Sequence, residues 1–359
     1  MQQSSEIKYR KWQEERIIAE KWYEKNGLEG DVAISSRIRL ARNLKNYPFP
    51  HLMSLQQKNE VANKIREALE GSNSYIAATF RFINMAQLND TEAGSLMERH
   101  LISPVFAQNR AGKYLLLTDD ETISIMINEE DHLRIQVLSE GLSLKKAYDT
   151  ADKIDTLLDN SLGFAFHNKL GYLTQCPTNL GTGLRASVML HLPALESGGA
   201  IPRLEDNLSK IGLALRGTFG EGTDAQVGLY QLSNQVTLGL SEKNAIENLQ
   251  NVALQLITKE RDMRNEICRR TEIRDYIMRC FGTLRYAVVI SHGEGLKLLS
   301  AVRMGINEKL ISGISLDTVN KLMIELQPCT ISVNSGKQLS PQQRDIMRAD
   351  ILNKSTAHS

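Results

Sequence analysis

The sequence is short of several features on which particular classes of protein depend. Its 359 residues include only four cysteines. No two of them form a C-x-x-C pair, which argues against a zinc site or disulfide framework and fits a reducing cytoplasm. The net charge of +1 lacks the basic excess of a general nucleic-acid binder. No apolar run reaches transmembrane length, and residues 1–30 have no apolar core, so we expect neither a membrane anchor nor a signal peptide.

Apolar periodicity divides the rest of the chain into elements, and the length allows two domains. It predicts helices over 1–30, 54–70, 90–101, 143–160 and 204–215, a long helix from Ser241, and further helices over 293–304, 316–327 and 340–350. Strands are predicted over 113–118, 123–137, 227–232 and 235–240. In the helix over 54–70, Leu55 and Val61 are expected to face inward.

The most informative stretch is 176–192, where a Gly-rich turn leads into an alternating strand. Ala186, Val188, Leu190 and Leu192 share one parity, and Arg185, Ser187, Met189 and His191 share the other. N–H groups in the turn could approach an anion and would stabilise a thiolate at Cys176. The alternative is an ordinary glycine turn with a buried, inert cysteine.

Two further stretches combine charges with strand patterns. In the strand after residue 31, Ser35, Arg37 and Arg39 share one parity and Ile34 and Ile38 the other. Guanidinium groups suit polyphosphate oxygens, although a solvated strand face is the alternative.

Residues 128–131 read Asn-Glu-Glu-Asp and interrupt the strand predicted over 123–137. Either they form a hairpin turn, or an extended chain places Glu130 and Arg134 on one face, roughly 13 Å apart.

Three features leave functional and structural interpretations open. His100 is either a helix-end histidine or a contact to a base or ribose. The Gly-rich loop over 216–223 carries Arg216 and Glu221, and it either closes over a substrate or is a mobile hairpin end. In the last helix, capped by Ser340, Arg344 and Arg348 form either a solvated basic face or an anion site.

Together these motifs resemble the ATP:guanido phosphotransferases, or phosphagen kinases. The strand with Ser35, the Asn-Glu-Glu-Asp sequence, the stretch from Cys176 to Arg185 and the loop with Glu221 occur in that family's order. The resemblance covers about residues 31–258. It implies an α+β fold, with a phosphagen-kinase-like catalytic domain whose large, mostly antiparallel sheet is flanked by helices, plus an all-helical C-terminal domain.

The departures from the family pattern point to one branch. Only about thirty residues precede the first motif, an aromatic residue is absent before 128–131, and Met189 and His191 replace polar or charged residues. The chain resembles the bacterial protein-arginine kinases in these departures, in the added C-terminal helices and in the sequence Arg344-Asp345-x-x-Arg348-Ala349. The implied organisation is an N-terminal helix over 1–30, a catalytic domain over 31–258 and a helical domain over 259–359.

The resemblance implies transfer of a phosphoryl group from ATP, with Mg²⁺ bridging the phosphates and no metal ligand from the protein. Glu130 and Glu221 would hold the acceptor guanidinium and draw off its proton, Arg185 would contact phosphate, and Cys176 would tune the site electrostatically. The implied ATP-binding residues are Ser35, Ser36, Arg37, Ile38, Arg39, His100, Arg134, Arg185, Ala186, Ser187, Val188, Met189, Arg216, Gly217, Thr218, Phe219, Gly220 and Glu221. Arg344, Asp345, Arg348 and Ala349 would form an allosteric receptor for phosphoarginine.

The same resemblance implies cytoplasmic partners and leaves rival functions open. It implies protein substrates with exposed arginines, a small zinc-binding activator protein, a heat-shock repressor, the Clp protease system and a homodimer or larger oligomer. One rival is a kinase of small guanidino compounds such as free arginine. Another is a non-catalytic module that binds phosphoarginine.

Overall fold

An eight-stranded antiparallel sheet forms the centre of the molecule in the computed structural model, which describes residues 20–72, 79–217 and 227–357. The strand order is β2-β3-β4-β5-β1-β8-β10-β9, and β6 and β7 form a separate pair. The strands are β1 (Ala33–Arg42), β2 (Phe80–Asn84), β3 (Tyr114–Thr118), β4 (Ile123–Ile127), β5 (Leu133–Glu140), β6 (Phe166–His167), β7 (Gly171–Tyr172), β8 (Leu184–His191), β9 (Leu213–Gly217) and β10 (Leu229–Asn234).

Helices cover the sheet and then form a separate C-terminal layer. They are α1 (Leu55–Glu70), α2 (Asp90–Glu98), α3 (Pro104–Ala107), α4 (Leu144–Leu162), α5 (Pro193–Ser197), α6 (Ile201–Ser209), α7 (Glu242–Ile267), α8 (Thr271–Tyr286), α9 (His292–Asn307), α10 (Leu316–Glu325), α11 (Pro328–Asn334) and α12 (Pro341–Ala357). The α+β fold class and the all-helical C-terminal layer are confirmed. Among the described residues, no helix combines the length and apolar character needed to cross a membrane.

The first core lies between one face of the sheet and helices α1, α4 and α7. The alternation of β8 creates this face, because Ala186, Val188 and Leu190 are fully buried there. Arg185 and Ser187 therefore point to the opposite face. The predicted inward position of Val61 is confirmed, whereas Leu55 is 56% exposed because it stands at the first position of α1.

A second core joins the C-terminal helices to the other face of the sheet, and Ile34 and Met189 belong to it. The prediction that Ile34 shares a face with Ile38 is wrong. A β-bulge shifts the register of β1 against β8 between Ala33 and Ser35, so the side chains before the bulge change faces. Helix α7 contributes to the first core and runs without a break through the predicted domain boundary at residue 258.

Residues 20–32, here called the N-terminal strap, join the two layers. The described part of the predicted N-terminal helix, 20–30, consists of turns, and 1–19 lie outside the described residues. The Asp31 carboxylate accepts hydrogen bonds from Arg261 and Arg264, and Arg303 donates to the carbonyls of Gly30 and Asp31. These contacts stabilise the strap as a turn segment between the sheet and the helices.

Other sequence predictions change in the structure. Residues 123–137 form a hairpin of β4 and β5, because Asn128 adopts a left-handed φ of 63° that reverses the chain. The helix predicted over 204–215 ends at Ser209, since Gly212 has φ 74° and Leu213 begins β9. The region 227–240 contains one strand, β10, and not the two predicted, and helix α8 was not predicted.

Candidate active site

Five arginines, here called the arginine floor, line one cavity of about 670 Å³ on the polar face of the sheet. They are Arg37, Arg39, Arg134, Arg185 and Arg216. Strand pairing brings them together: Arg39 lies opposite Arg185, and Arg216 lies opposite Gln231 at the far edge. The alternation therefore predicted correctly that Arg37 and Arg39 share one face of β1 and that Arg185 lies on the polar face of β8.

The arginine floor is electrostatically strained. Burial, together with Arg134 and Arg185, lowers the pKa of Arg37 to about 10, and burial lowers the pKa of Arg39 well below its ordinary value. The buried Nε atoms of Arg39 and Arg185 have no hydrogen-bond partner among the described residues. Arg37 is better held, since it donates to Gln231 at 2.5 Å. Clustered cations with open donors fit a polyanionic ligand.

The turn between β4 and β5 places the acidic motif at the edge of this floor. Glu129, not Glu130, pairs with Arg134, at 2.5 Å, and it also contacts the hydroxyl of Ser103. The interpretation that an extended strand puts Glu130 and Arg134 on one face is therefore wrong. Glu130 is exposed at the turn, but the protein around it partly desolvates its carboxylate, and this desolvation together with neighbouring Asp131 and Glu129 raises its pKa.

Asp131 links this turn to the loop that carries Cys176. Its carboxylate oxygen Oδ1 accepts from the side chain of Asn43 at 2.6 Å and from the backbone N–H of Gln175 at 2.8 Å. Cys176 is half-buried, with its sulfur 3.0 Å from the hydroxyl of Thr178. Asp131 therefore fixes the position of the Cys176 loop relative to the Glu130 turn, and Cys176 is not the fully buried, inert residue of the alternative interpretation.

His100 follows the end of α2, as the helix-end interpretation predicts, and it also lines the cavity, so the contact to a base or ribose stays a prediction. It has a left-handed φ of 62°, which is uncommon for a residue other than glycine. Burial and nearby Arg37 lower its pKa to about 4, so the ring is neutral near pH 7. The ring of Trp22 lies 6.2 Å away and supports it from the strap.

The remaining predicted site residues are distributed around the floor. Gly217 lines the cavity, and Ser35, Ser187 and Met189 surround a small adjoining cavity below it. Ser36 is buried, donates to the carbonyl of Gly141 and accepts from the N–H of Ser143. Some residues could contribute only backbone atoms, because their side chains are in the first core; they are Ile38, Ala186 and Val188. Thr218, Phe219, Gly220 and Glu221 lie outside the described residues.

The cavity also contains residues that the sequence analysis did not identify. Gln231 and Ser233 stand two residues apart on β10, so strand alternation could have predicted that their side chains share a face. Glu98, His292 and Gln327 line the cavity from α2 and the C-terminal helices, far away in the sequence. No local pattern marks these three residues, because their proximity depends on how the two layers pack.

The C-terminal Arg-Asp-x-x-Arg-Ala sequence is an ordered part of the second core. Arg348 is 2% exposed, pairs with Asp345 at 2.6 Å and donates to the carbonyls of Leu326 and Ile290. A solvated basic face is therefore wrong for Arg348. Arg344 is half-buried and donates to the carbonyl of Leu339, and Ala349 is buried. The predicted cap at Ser340 is confirmed: its hydroxyl accepts from the N–H of Gln343, and the side-chain oxygen of Gln343 accepts from the N–H of Ser340.

The types of side chain present also bear on whether the protein itself could hold the expected metal ion. Among the described residues there is no group of three or more His, Cys, Asp or Glu side chains arranged to hold a metal ion. The charged side chains that line the cavity are the five arginines and Glu98, and the arginines fit the phosphate oxygens of a nucleotide.

The fold is that of a guanidino kinase, and a family model agrees. Residues 60–263 match the ATP:guanido phosphotransferase C-terminal catalytic domain. The solved structure of a lombricine kinase superposes with a TM-score of 0.58 at 26% identity, covering 66% of this chain and 68% of that one. The substrate-free duplicated taurocyamine kinase from Schistosoma mansoni gives 0.57 at 29% identity, covering 65% of this chain and 34% of that one.

Curated relatives assign the branch. Residues 270–359 match the protein-arginine kinase McsB C-terminal domain. A protein-arginine kinase of Caldanaerobacter subterraneus subsp. tengcongensis is 47% identical and covers 90% of this chain and 96% of its own. One from Halothermothrix orenii is 46% identical and covers 92% and 95%. The chain belongs to the ATP:guanido phosphotransferase family and, within it, to the protein-arginine kinases.

Proposed function

We propose that this protein transfers the γ-phosphoryl group of ATP to arginine side chains of other proteins. One observation carries the proposal: the arginine floor, whose guanidinium groups repel one another and leave two buried N–H donors open. A triphosphate would neutralise the floor and fill those donors. The proposal also fits the match of the C-terminal layer to the protein-arginine kinases.

The nucleotide would lie with its phosphates on the arginine floor. Mg²⁺ would be held by the phosphate oxygens of the nucleotide and would supply further positive charge beside the arginine floor. Arg39 and Arg185 would donate to phosphate oxygens through their open Nε atoms. Arg37 and Arg134 are already oriented by Gln231 and Glu129, so little reorganisation is needed when charge moves in the transition state.

The acceptor guanidinium would bind at the turn beside the floor. Its nitrogen attacks the γ-phosphorus, a P–N bond forms, the bond to the ADP oxygen breaks, and the departing N–H proton passes to a carboxylate. Glu130 suits this role because its raised pKa makes it a better proton acceptor than an ordinary glutamate. Glu221 would be the second carboxylate, and Cys176 would tune the site electrostatically.

Further assignments remain predictions from the family resemblance. They are the phosphoarginine receptor formed by Arg344, Asp345, Arg348 and Ala349, allosteric control, a homodimer, a cytoplasmic location, the zinc-binding activator, the heat-shock repressor and the Clp protease system. The buried ion pair of Arg348 with Asp345 supports only an ordered site at this position.

Mass spectrometry under non-acidic conditions tests the proposed reaction, because acid cleaves the P–N bond. Casein would be incubated with Mg-ATP and one of three proteins: the wild type, Glu130→Gln or Glu272→Gln. Glu272 is an exposed glutamate on α8, so Glu272→Gln serves as the control. We expect phosphoarginine with the wild type and control, and at least a hundredfold slower formation with Glu130→Gln.

The other outcomes separate the rival functions. Phosphorylation of added free arginine alone would identify a small-molecule guanidino kinase. Absence of phosphate on any acceptor, with phosphoarginine still bound through Arg344, would identify a binding module. Unchanged activity of Glu130→Gln would remove Glu130 from the proposed mechanism.

A further inference from the structure

Three apolar side chains, here called the acceptor rim, border the acidic turn between β4 and β5. They are Leu52, Leu55 and Val105, and each is between 56% and 66% exposed. They come from the short turn before α1, from the start of α1 and from α3. A single exposed leucine or valine is ordinary, but three beside one candidate acceptor site form a surface that a substrate would meet.

Hydrogen bonds from the turn hold the start of α1 in place. The side chain of Asn128 donates to the carbonyl of Lys58 in α1 at 2.9 Å and to the carbonyl of Gly112 at 2.8 Å. Leu55 lies against Gly112, since a β-carbon added to this glycine would come within 3.0 Å of a methyl group of Leu55. Leu55 is therefore exposed at a fixed position beside the turn.

Leu52 is connected to the other end of the turn. The preceding residue, His51, has its Nδ1 atom 2.8 Å from the side-chain oxygen of Gln175. The backbone N–H of Gln175 donates to the carboxylate of Asp131 at 2.8 Å. The chain before α1, the loop that carries Cys176 and the acidic turn are thus joined at one place, and Leu52 is exposed there.

Val105 is placed by two contacts of the short helix α3. The hydroxyl of Ser103 accepts from the N–H of Phe106 and also contacts the carboxylate of Glu129 in the turn. The Nζ atom of Lys113 donates to the carbonyl of Val105 at 2.9 Å. The side chain of Val105 takes no part in these contacts and is exposed.

The charges of the turn indicate which ligand the rim accompanies. Glu129 is paired with Arg134 and Asp131 is buried, whereas Glu130 is exposed. Glu130 is therefore the carboxylate of the turn that a guanidinium group from outside can reach. Residues of an extended segment are about 3.3 Å apart, so those within three positions of a bound arginine pass over surface within roughly 10 Å of it.

We propose that the acceptor rim binds the polypeptide around the target arginine and selects segments with apolar residues within about three positions of that arginine. The inference rests on the proposed function, since it takes Glu130 to hold the acceptor guanidinium. Contact between apolar side chains of the substrate and the rim removes apolar surface of both partners from water. Free arginine has no flanking residues and gains nothing from the rim.

Fluorescence anisotropy with labelled short peptides tests the rim. Two peptides share one central arginine and the same charge, with leucines flanking the arginine in one and serines in the other. The wild type should bind the leucine peptide about tenfold more tightly than the serine peptide. A leucine peptide with glutamine in place of the arginine should lose at least about tenfold in affinity, because it cannot pair with Glu130.

Substitutions on the rim should remove the preference for leucine. In the double variant Leu52→Ser/Leu55→Ser the affinity ratio of the leucine and serine peptides should fall to less than about twofold. Leu254→Ser is the matched control, since Leu254 is an exposed leucine on α7, which packs on the opposite face of the sheet. It should keep the tenfold ratio. If the double variant fails to fold, Val105→Ser is measured and should lower the ratio at least about twofold.

Other outcomes overturn the acceptor rim. Equal affinity of the wild type for the leucine and serine peptides would do so, as would a preference that the rim variants keep. Tight binding of the glutamine peptide would show an apolar surface unconnected with Glu130. Binding needs no phosphoryl transfer, so a wild type that shows the expected preferences but phosphorylates no protein overturns the proposed function alone. Phosphorylation of casein without any preference between the peptides overturns the rim alone.

Discussion

Two arginines on β1, the buried Arg42 and the half-buried Arg39, differ in what surrounds their guanidinium groups. Arg42 donates to both carboxylate oxygens of Asp155 at 2.9 Å, and its guanidinium stacks 3.5 Å from the ring centre of Tyr172. Arg39 faces Arg37 and Arg185, and its Nε atom has no partner among the described residues. Arg42 is therefore placed to stabilise the fold, whereas the guanidinium group of Arg39 is placed to bind a ligand.

Replacing each arginine by methionine should therefore have opposite effects on stability. Arg39→Met removes a repelled charge, so the free energy of unfolding without nucleotide should rise by about 1 kcal/mol, while Mg-ATP binding weakens at least about tenfold. Arg42→Met leaves Asp155 buried and unpaired and should lower the free energy of unfolding by about 3 kcal/mol. Urea unfolding and calorimetric titration measure both. A destabilised Arg39→Met variant would mean that the floor needs no ligand to be stable.

The sequence predicted part of the floor, because strand alternation decides which side chains share a face wherever no bulge intervenes. Arg37 and Arg39 on β1, and Arg185 on β8, follow that rule from the sequence to the structure. The pairing of Arg134 with Glu129 instead of Glu130 could not be derived in this way. It depends on the conformation of the turn between β4 and β5, where Asn128 leaves the extended region.

At the scale of elements, the candidate acceptor site is assembled from a hairpin turn and a loop that are distant in sequence. The turn between β4 and β5 carries Glu130, and the loop before β8 carries Cys176. Asp131 connects them through Asn43 and the N–H of Gln175. The hydrogen bonds of Asp131 do not include the arginines of the floor, which the turn contacts through Glu129, so replacing Asp131 should affect acceptor chemistry more than nucleotide binding.

Asp131→Ala should lower kcat for protein-arginine phosphorylation at least about tenfold while the Kd of Mg-ATP changes by less than about twofold. The reason is that Asp131 is a positioning residue that sets the distance between the turn and the loop. Steady-state kinetics and titration measure the two quantities, with the exposed Asp152→Ala on α4 as control. Parallel losses of kcat and nucleotide affinity would indicate a general structural defect.

Helices and strands were predicted correctly where a single apolar periodicity continued without interruption, and incorrectly where a turn interrupted that periodicity. Helix α1 has its predicted Ser54 start and buries Val61 and Ile65. The apolar residues over 204–215 fit a helix, but the chain leaves it at Gly212, and Leu213 and Leu215 then alternate in β9 opposite β10. A short stretch of sequence cannot distinguish a helix from a strand here, because two leucines separated by one residue fit both the end of a helix and the start of a strand.

At the scale of the whole molecule, one buried network joins the sheet, the strap and the C-terminal helices. His191 ends β8, and its ring contacts Ser300 at 2.8 Å and Arg303 at 3.1 Å, both on α9. Arg303 also donates to the strap carbonyls of Gly30 and Asp31. The sequence analysis treated His191 as a departure from the family strand. The role of His191 depends on its contacts with α9, which form only when the C-terminal helices pack against the sheet.

The network predicts how stability depends on pH. Arg303 donates to Nδ1 of His191, so the ring must be neutral with its proton on Nε2 facing Ser300. Burial and Arg303 accordingly lower the pKa of His191 well below its ordinary value of 6.5. Below pH 6.5 the unfolded chain binds a proton that the folded chain does not, so the contribution of His191 to stability is lost as the pH falls.

Comparison with His191→Gln isolates this effect from the other titrating groups. Glutamine cannot protonate, yet it can accept from Arg303 and donate to Ser300. The advantage of the wild type in free energy of unfolding should therefore be about 1.4 kcal/mol smaller at pH 5.5 than at pH 7.5, as measured by urea unfolding. The exposed His167→Gln is the control and should show no such difference. An advantage that grows on acidification would mean that His191 is protonated in the folded protein. The sheet and the C-terminal helices would then be joined by a charged contact and not by the neutral one described above.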